Sequence, residues 1–152
     1  MLFEKLVIAV LMIFVCTLVH AGFMIVGNRA LDWRLTRFGP VRGHFDGTLL
    51  IWLMILWMFF AILIEAVLWA LLYLYHPSST SLTDTHAAFY FSMVTYTTLG
   101  YGDVVLTGDW RVLSAIQAAT GVIIFGWTTA LIYYYIQRIF KSGRSQGQNG
   151  RV

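Results

Sequence analysis

Residues 97–103 read Thr97-Thr98-Leu99-Gly100-Tyr101-Gly102-Asp103. Two glycines alternate with larger side chains, so alternate residues are free to take dihedrals closed to other L-residues. Upstream, Thr83 or Asp84 can cap a helix that runs through about Thr95. Such a helix is too short to cross a bilayer, which takes about 20 residues. Before it, His76-Pro77-Ser78-Ser79-Thr80-Ser81 is a turn-rich linker. Farther out lie apolar stretches long enough to span, at about 49–75 and about 112–140, the second interrupted by Gln117, Gly121 and Gly126. Another runs from about Leu6 to Val26. A short helix and glycine-rich backbone between two spans reads as a re-entrant loop. Non-helical backbone at membrane depth survives only where protein or water satisfies it.

The composition agrees. Only 11% of the 152 residues are charged and 59% are hydrophobic, against about 25% and 45–50% in ordinary soluble domains. A chain this short cannot bury that much apolar surface in itself. The expected fold is an all-α integral membrane protein: three transmembrane helices, a re-entrant pore helix and a loop. Disordered, disulfide-scaffold and conventional soluble-enzyme classes are excluded. Cys16, the only cysteine, sits in an apolar run. No His-Glu-x-x-His, Gly-x-Ser-x-Gly, zinc-type cysteine pair or phosphate loop occurs. The chain is therefore read as not an enzyme, with no cofactor and no nucleic-acid partner.

Charge placement orients the spans. Arg29, Arg34, Arg37 and Arg42 follow the first, and Arg138, Lys141, Arg144 and Arg151 close the chain, while 76–109 holds no Lys or Arg. Lys and Arg favour the cytoplasmic side. The expectation is a multi-pass cell (inner) membrane protein with the N-terminus outside and the C-terminus inside. The expected division is a transmembrane helix at 1–27, a cytoplasmic interfacial segment at 28–47, a pore domain at 48–140 and a disordered basic tail at 141–152. Gly39, Pro40 and Gly43 break the arginine run, and Asp32 and Asp46 dilute it. That argues against a voltage sensor and for contact with anionic lipid heads at Arg29, Arg34, Arg37 and Arg42. Leu31, Leu35 and Phe38 recur there at helical spacing, with Trp33 as an interface anchor. Val19-His20-Ala21 before Gly22 would suit signal cleavage, but the apolar run continues past it and its basic flank is weak.

The chemistry of 97–103 follows from the need to replace the water of a passing cation by oxygen ligands. Backbone carbonyls supply partial negative charge without trapping the ion, and rings of them form potassium filters. The segment resembles the selectivity filter of the potassium channel family, whose usual form is Thr-Val-Gly-Tyr-Gly-Asp, with Leu99 in place of valine. Phe89-Tyr90-Phe91-Ser92 resembles the aromatic start of that family's pore helix. Residues 121–126, from Gly121 to Gly126, resemble its inner helix with a glycine at the hinge position. The first span and the arginine segment lie outside the minimal pattern. The resemblance implies K+ ions held by the carbonyls of Thr98, Leu99, Gly100 and Tyr101, the Thr98 hydroxyl closing the innermost site, and Gly102 completing the outer turn. It implies a homotetramer, since each chain contributes one loop to a closed ring. The expected function is passive potassium conduction. The alternatives are a less selective cation channel and a non-conducting subunit that modifies a larger channel.

Supporting roles follow. Val94 stands where some relatives carry a glutamate paired to the filter aspartate. Tyr90 matches a position where many relatives carry tryptophan, and it is expected to bond Asp103, directly or through water. Val122, Phe125, Thr129 and Tyr133 recur at helical spacing and, by the resemblance, line the cavity and gate, with Gly121 as hinge and Tyr133 narrowing the inner mouth. Glu65 is the only acid inside a span. His20 is its candidate partner by residue type, but a first span over 6–26 places His20 near the inner side and Glu65 in the outer half. The expectation is that they do not pair.

Overall fold

The computed structural model describes residues 2–41, 43–76, 82 and 84–149, with side chains through Phe140. Arg42, Thr83, Ser79 and the side chains of 141–152 lie outside the described residues, and so do the expectations that rest on them. Four helices follow in order: α1 Leu2–Phe38, α2 His44–Tyr75, α3 Thr85–Tyr96 and α4 Trp110–Asn149. Three of them, α1, α2 and α4 over Trp110–Phe140, are long and apolar enough to cross a membrane.

Helix α1 runs without a break from the apolar run through the arginine segment to Phe38. It stops where Gly39 takes φ +76° and Pro40 follows, a left-handed residue and then a ring that cannot continue a helix. The Arg34 guanidinium donates to the Gly39 carbonyl at 3.3 Å and stacks on Phe38. Helix α2 begins directly at His44, so α1 and α2 form one antiparallel hairpin. At the far end α4 likewise carries its helix through 141–149, where the sequence suggests no regular structure. That stretch contains no proline, and single glycines cost a helix only about 1 kcal/mol each.

The seam of α1 explains its docking. Its buried residues are Lys5, Ala9, Cys16, His20, Gly27 and Leu31, alternately four and seven apart, a single narrow stripe. Most are small or polar. Between lipid-solvated helices there is no hydrophobic drive to associate, so close backbone approach and hydrogen bonds must do it. Large apolar residues such as Val10, Phe14 and Leu18 face away from the protein. At Gly27 an added Cβ would fall 2.9 Å from the Tyr135 hydroxyl and 3.2 Å from Trp57. The Trp57 indole donates across the same contact to the Phe23 carbonyl at 2.9 Å.

Two core clusters lie along the bundle. One joins Leu31, Met58, Ala61, Leu131, Tyr135 and Ile139 near the hairpin turn. The other joins Cys16, Trp69, Tyr73, Phe91, Tyr96, Leu113 and Ile124 around α3. Helix α3 is seated by close approach to α4. A Cβ on Gly121 would fall 2.9 Å from the Tyr96 carbonyl carbon and collide with its oxygen. Helix α4 runs unbroken through Gly121, and the end of α3 packs directly on it.

A methyl group added at Gly126 would meet nothing within 4 Å, which makes that position a matched control. Gly121→Ala is expected to destabilise the protein by about 1–3 kcal/mol, the usual penalty of overpacking. Gly126→Ala is expected to be neutral or slightly stabilising. Thermal unfolding in detergent, followed by circular dichroism, measures both.

Candidate functional site

The site is the end of α3 and the backbone that leaves it. Asp84 caps the start of α3, its carboxylate accepting from the Ala87 amide at 3.4 Å. At the other end Thr97 is the last residue with helical dihedrals, and Thr98 turns left-handed at φ +61°. The Thr98 amide then donates to the Thr95 carbonyl at 3.0 Å, and the Leu99 amide to the Val94 carbonyl at 3.0 Å. These two bonds form a Schellman cap. The Gly100 amide also donates to Val94, at 3.2 Å. The Thr97 hydroxyl occupies the Met93 carbonyl at 2.8 Å. The last carbonyls of α3 are thus filled by the first amides of the loop, and the loop cannot swing away without opening the helix.

Beyond the cap, Gly100 and Gly102 are left-handed at φ +56° and +79°. Thr98, Leu99, Gly100, Tyr101, Gly102 and Asp103 are all exposed in the single chain. Leu99 and Tyr101 are 56% and 67% exposed. The Tyr90 hydroxyl donates to the Asp103 carboxylate at 2.7 Å within one chain, and the other carboxylate oxygen accepts from the Val104 amide at 3.0 Å. Asp103 therefore ties the far end of the loop back to α3. The same bond holds the Tyr90 phenol above the usual tyrosine range, because ionising it would place a negative charge against the carboxylate. The donor form persists at all pH values below that raised value and is lost only above it.

The family model described as "Ion channel" matches residues 48–138, more than half of the chain. The chain belongs to the ion channel family. No curated protein and no solved structure matches it. The matched region takes in most of α2, all of α3 and the loop, and most of α4. Helix α1 precedes it.

In this ion channel the residues expected to line a cavity divide. Val122, Thr129 and Tyr133 are exposed on one side of α4, with Ile123 and Ala130 beside them. The Tyr133 hydroxyl accepts from Gln137, one turn on. Phe125 is half-buried and packs on Tyr96, ring centroids 6.3 Å apart. It supports the end of α3 more than it faces outward. Val94 lines a cleft of about 300 Å³ beside the loop, with Tyr90, Asp103, Arg111 and Ser114 on its walls.

The structure overturns one expectation outright. His20 Nδ1 and Glu65 Oε1 are 3.1 Å apart, both side chains fully buried. Helix α1 runs past the end of the apolar run to Phe38. With the turn at Gly39–Gly43, each residue stands about twenty residues, or about 30 Å, from it along its own helix. The two are therefore level. Glu65 also accepts from the Tyr96 hydroxyl at 2.9 Å, and His20 Nε2 lies 3.2 Å from the Thr128 hydroxyl. A second buried knot lies one turn along α3. The Gln117 amide donates to the Ser92 hydroxyl at 2.9 Å and to its carbonyl at 3.2 Å, and accepts from the Tyr73 hydroxyl at 2.8 Å. Ser92 in turn donates to the Ala66 carbonyl at 2.6 Å. Ser92, Tyr96, Gln117 and Thr128 carry no signal alone. Their faces become visible only once α3 is laid against α2 and α4.

Tyr90→Phe keeps the ring and removes the donor. Amide hydrogen exchange at 100–104 in the purified protein is expected to speed up by about threefold or more, as a loop loses one of its ties. Exchange in α1 should stay as in the parent.

Proposed function

We propose that the chain is a potassium-selective channel subunit whose loop, Thr98 to Gly102, forms one quarter of a selectivity filter in a four-fold homotetramer. The observation that carries this reading is the loop itself. Thr98, Gly100 and Gly102 alternate into left-handed backbone, directly on the capped end of a 12-residue helix. Alternating handedness is the conformational requirement for successive carbonyls to share a direction, and carbonyl rings replace the hydration of potassium. In this reading K+ is the cargo, held by the carbonyls of Thr98, Leu99, Gly100 and Tyr101. The exposure of Leu99, Tyr101, Val122 and Tyr133 is explained by the neighbouring subunits and the axial cavity they would enclose.

Helix α3 and the loop would enter the membrane and return on one side of it, in an arrangement only protein or water can satisfy. The protein would lie in the cell membrane with this side outward, the Gly39 turn inward, and Arg29, Arg34 and Arg37 against anionic headgroups. Asp32 pairs with Arg138 at that inner end, joining α1 to α4.

Purified protein in potassium-loaded liposomes should pass K+ over Na+ and be blocked by barium. Gly100→Asp should abolish selective flux while the assembled size persists, because its backbone needs φ +56° and a carboxylate would hold the ions. Equal flux of Na+ would favour the less selective channel. No flux from correctly assembled protein would favour the accessory subunit.

Orientation has its own check. In a Cys16→Ala background, an impermeant thiol reagent should label Thr107→Cys in intact cells and Arg37→Cys only after permeabilisation. The opposite pattern would reverse the topology.

A further inference from the structure

Helix α1 lies before the region that the ion channel family shares, yet one of its side chains enters the network that ends at the loop. His20 is fully buried. Its surroundings come from all the packed helices: Glu65 of α2, Thr128 and the Trp127 ring of α4 at 5.0 Å, and, through Glu65, Tyr96 of α3. The Thr128 hydroxyl lies 2.9 Å from the Ile124 carbonyl and 3.2 Å from His20 Nε2. Both ring nitrogens are therefore engaged, Nε2 by Thr128 and Nδ1 by Glu65 Oε1. Glu65 Oε2 is then fixed toward the Tyr96 hydroxyl.

Tyr96 is the last residue of α3. Its carbonyl meets Gly121, and the next two residues begin the cap that turns the chain left-handed at Thr98. Moving the Tyr96 side chain therefore moves the foot of the loop. A carboxylate on α2 alone could rotate away from Tyr96. His20 removes that freedom by occupying its other oxygen.

We propose that His20 is a positioning residue for the ion pathway: through Glu65 it holds Tyr96, and so sets the geometry at Thr98. This assigns the additional helix a role in conduction rather than in anchoring alone, and it rests on the channel reading above. His20 touches neither the loop nor any ion. It acts through two intervening side chains.

The test is single-channel recording from the purified, assembled protein in planar bilayers, reading barium block and the Na+ to K+ permeability ratio. Tyr96→Phe and His20→Leu should each change barium affinity by about threefold or more, the scale of coupling within one hydrogen-bond network. The double variant should change it no further than the larger single effect. His20→Gln, which keeps a donor toward Glu65 and a polar group toward Thr128, should restore the parent block. A purely structural role would instead lower the yield of assembled channel and leave block and permeability in the surviving channels as in the parent. That result overturns the proposal, as do additive effects of His20→Leu and Tyr96→Phe. If His20→Leu does not assemble, the His20→Gln and Tyr96→Phe pair decides: parent-like block in the first with altered block in the second supports the proposal, and any other combination refutes it. A parent protein that passes no ions would refute the channel reading and this inference together. A conducting parent with indifferent variants refutes this inference alone.

Discussion

A carboxyl group buried among apolar helices is the constraint on which this bundle depends. Glu65 would be costly to bury alone, and the cost is removed only when its oxygens are occupied. Those partners arrive from α1 and α3, and His20 in turn requires Thr128 of α4. One acid thus specifies the relative placement of all four helices. Apolar packing could not do the same, because lipid competes for apolar surface on equal terms. Polar contacts have few satisfactory arrangements and so fix the register of one helix against another.

The second knot, Tyr73–Gln117–Ser92, repeats the principle one turn away on α3. Ala88, Phe91, Ser92 and Tyr96 are the buried residues of that helix, and two of the four are hydrogen-bonded through their side chains to α2 or α4. The absent side chains matter equally. Gly121 lets the α3 backbone meet α4, and Gly27 makes room for the Tyr135 and Trp57 side chains; the stripe of α1 follows the same economy of size. Small residues set the distance between helices, and buried polar residues set their register.

Much of this is legible in the sequence, and the reasons differ by element. The spans are legible because lipid imposes a long apolar run, and α3 because Asp84 and the glycines bound it. The Tyr90–Asp103 bond is legible through the resemblance, because Tyr90 carries an O–H at a position matching a side-chain donor of that family's pore helix. The His20–Glu65 pair is hidden by a boundary. Arginines and glycines after Val26 look like the end of a membrane segment, yet a helix follows its hydrogen bonds and not the edge of the lipid. Gly39 and Pro40 are the true stop, and measuring both residues from that turn places them together. Gly121 is ambiguous in another way: α4 is unbroken there and the Tyr96 carbonyl rests on it. Glycine lowers helix propensity wherever it stands, so sequence alone does not separate a bend from a contact.

Thr98 carries the same logic into the site. A Schellman cap needs its left-handed residue, and glycine or asparagine takes that conformation most cheaply. A β-branched residue there is strained. Cap chemistry by itself would therefore place glycine at this position and leave threonine at Thr97, whose hydroxyl already serves the helix end. The surrounding structure holds Thr98 in place regardless: its own amide and those of Leu99 and Gly100 are bonded to α3, and Tyr96 just before it is held by Glu65 and Gly121. Strain maintained by so many contacts points to a use for the side chain that glycine could not supply. A hydroxyl on exposed backbone, able to add an oxygen ligand where the carbonyls end, is the use that the proposed filter would make of it.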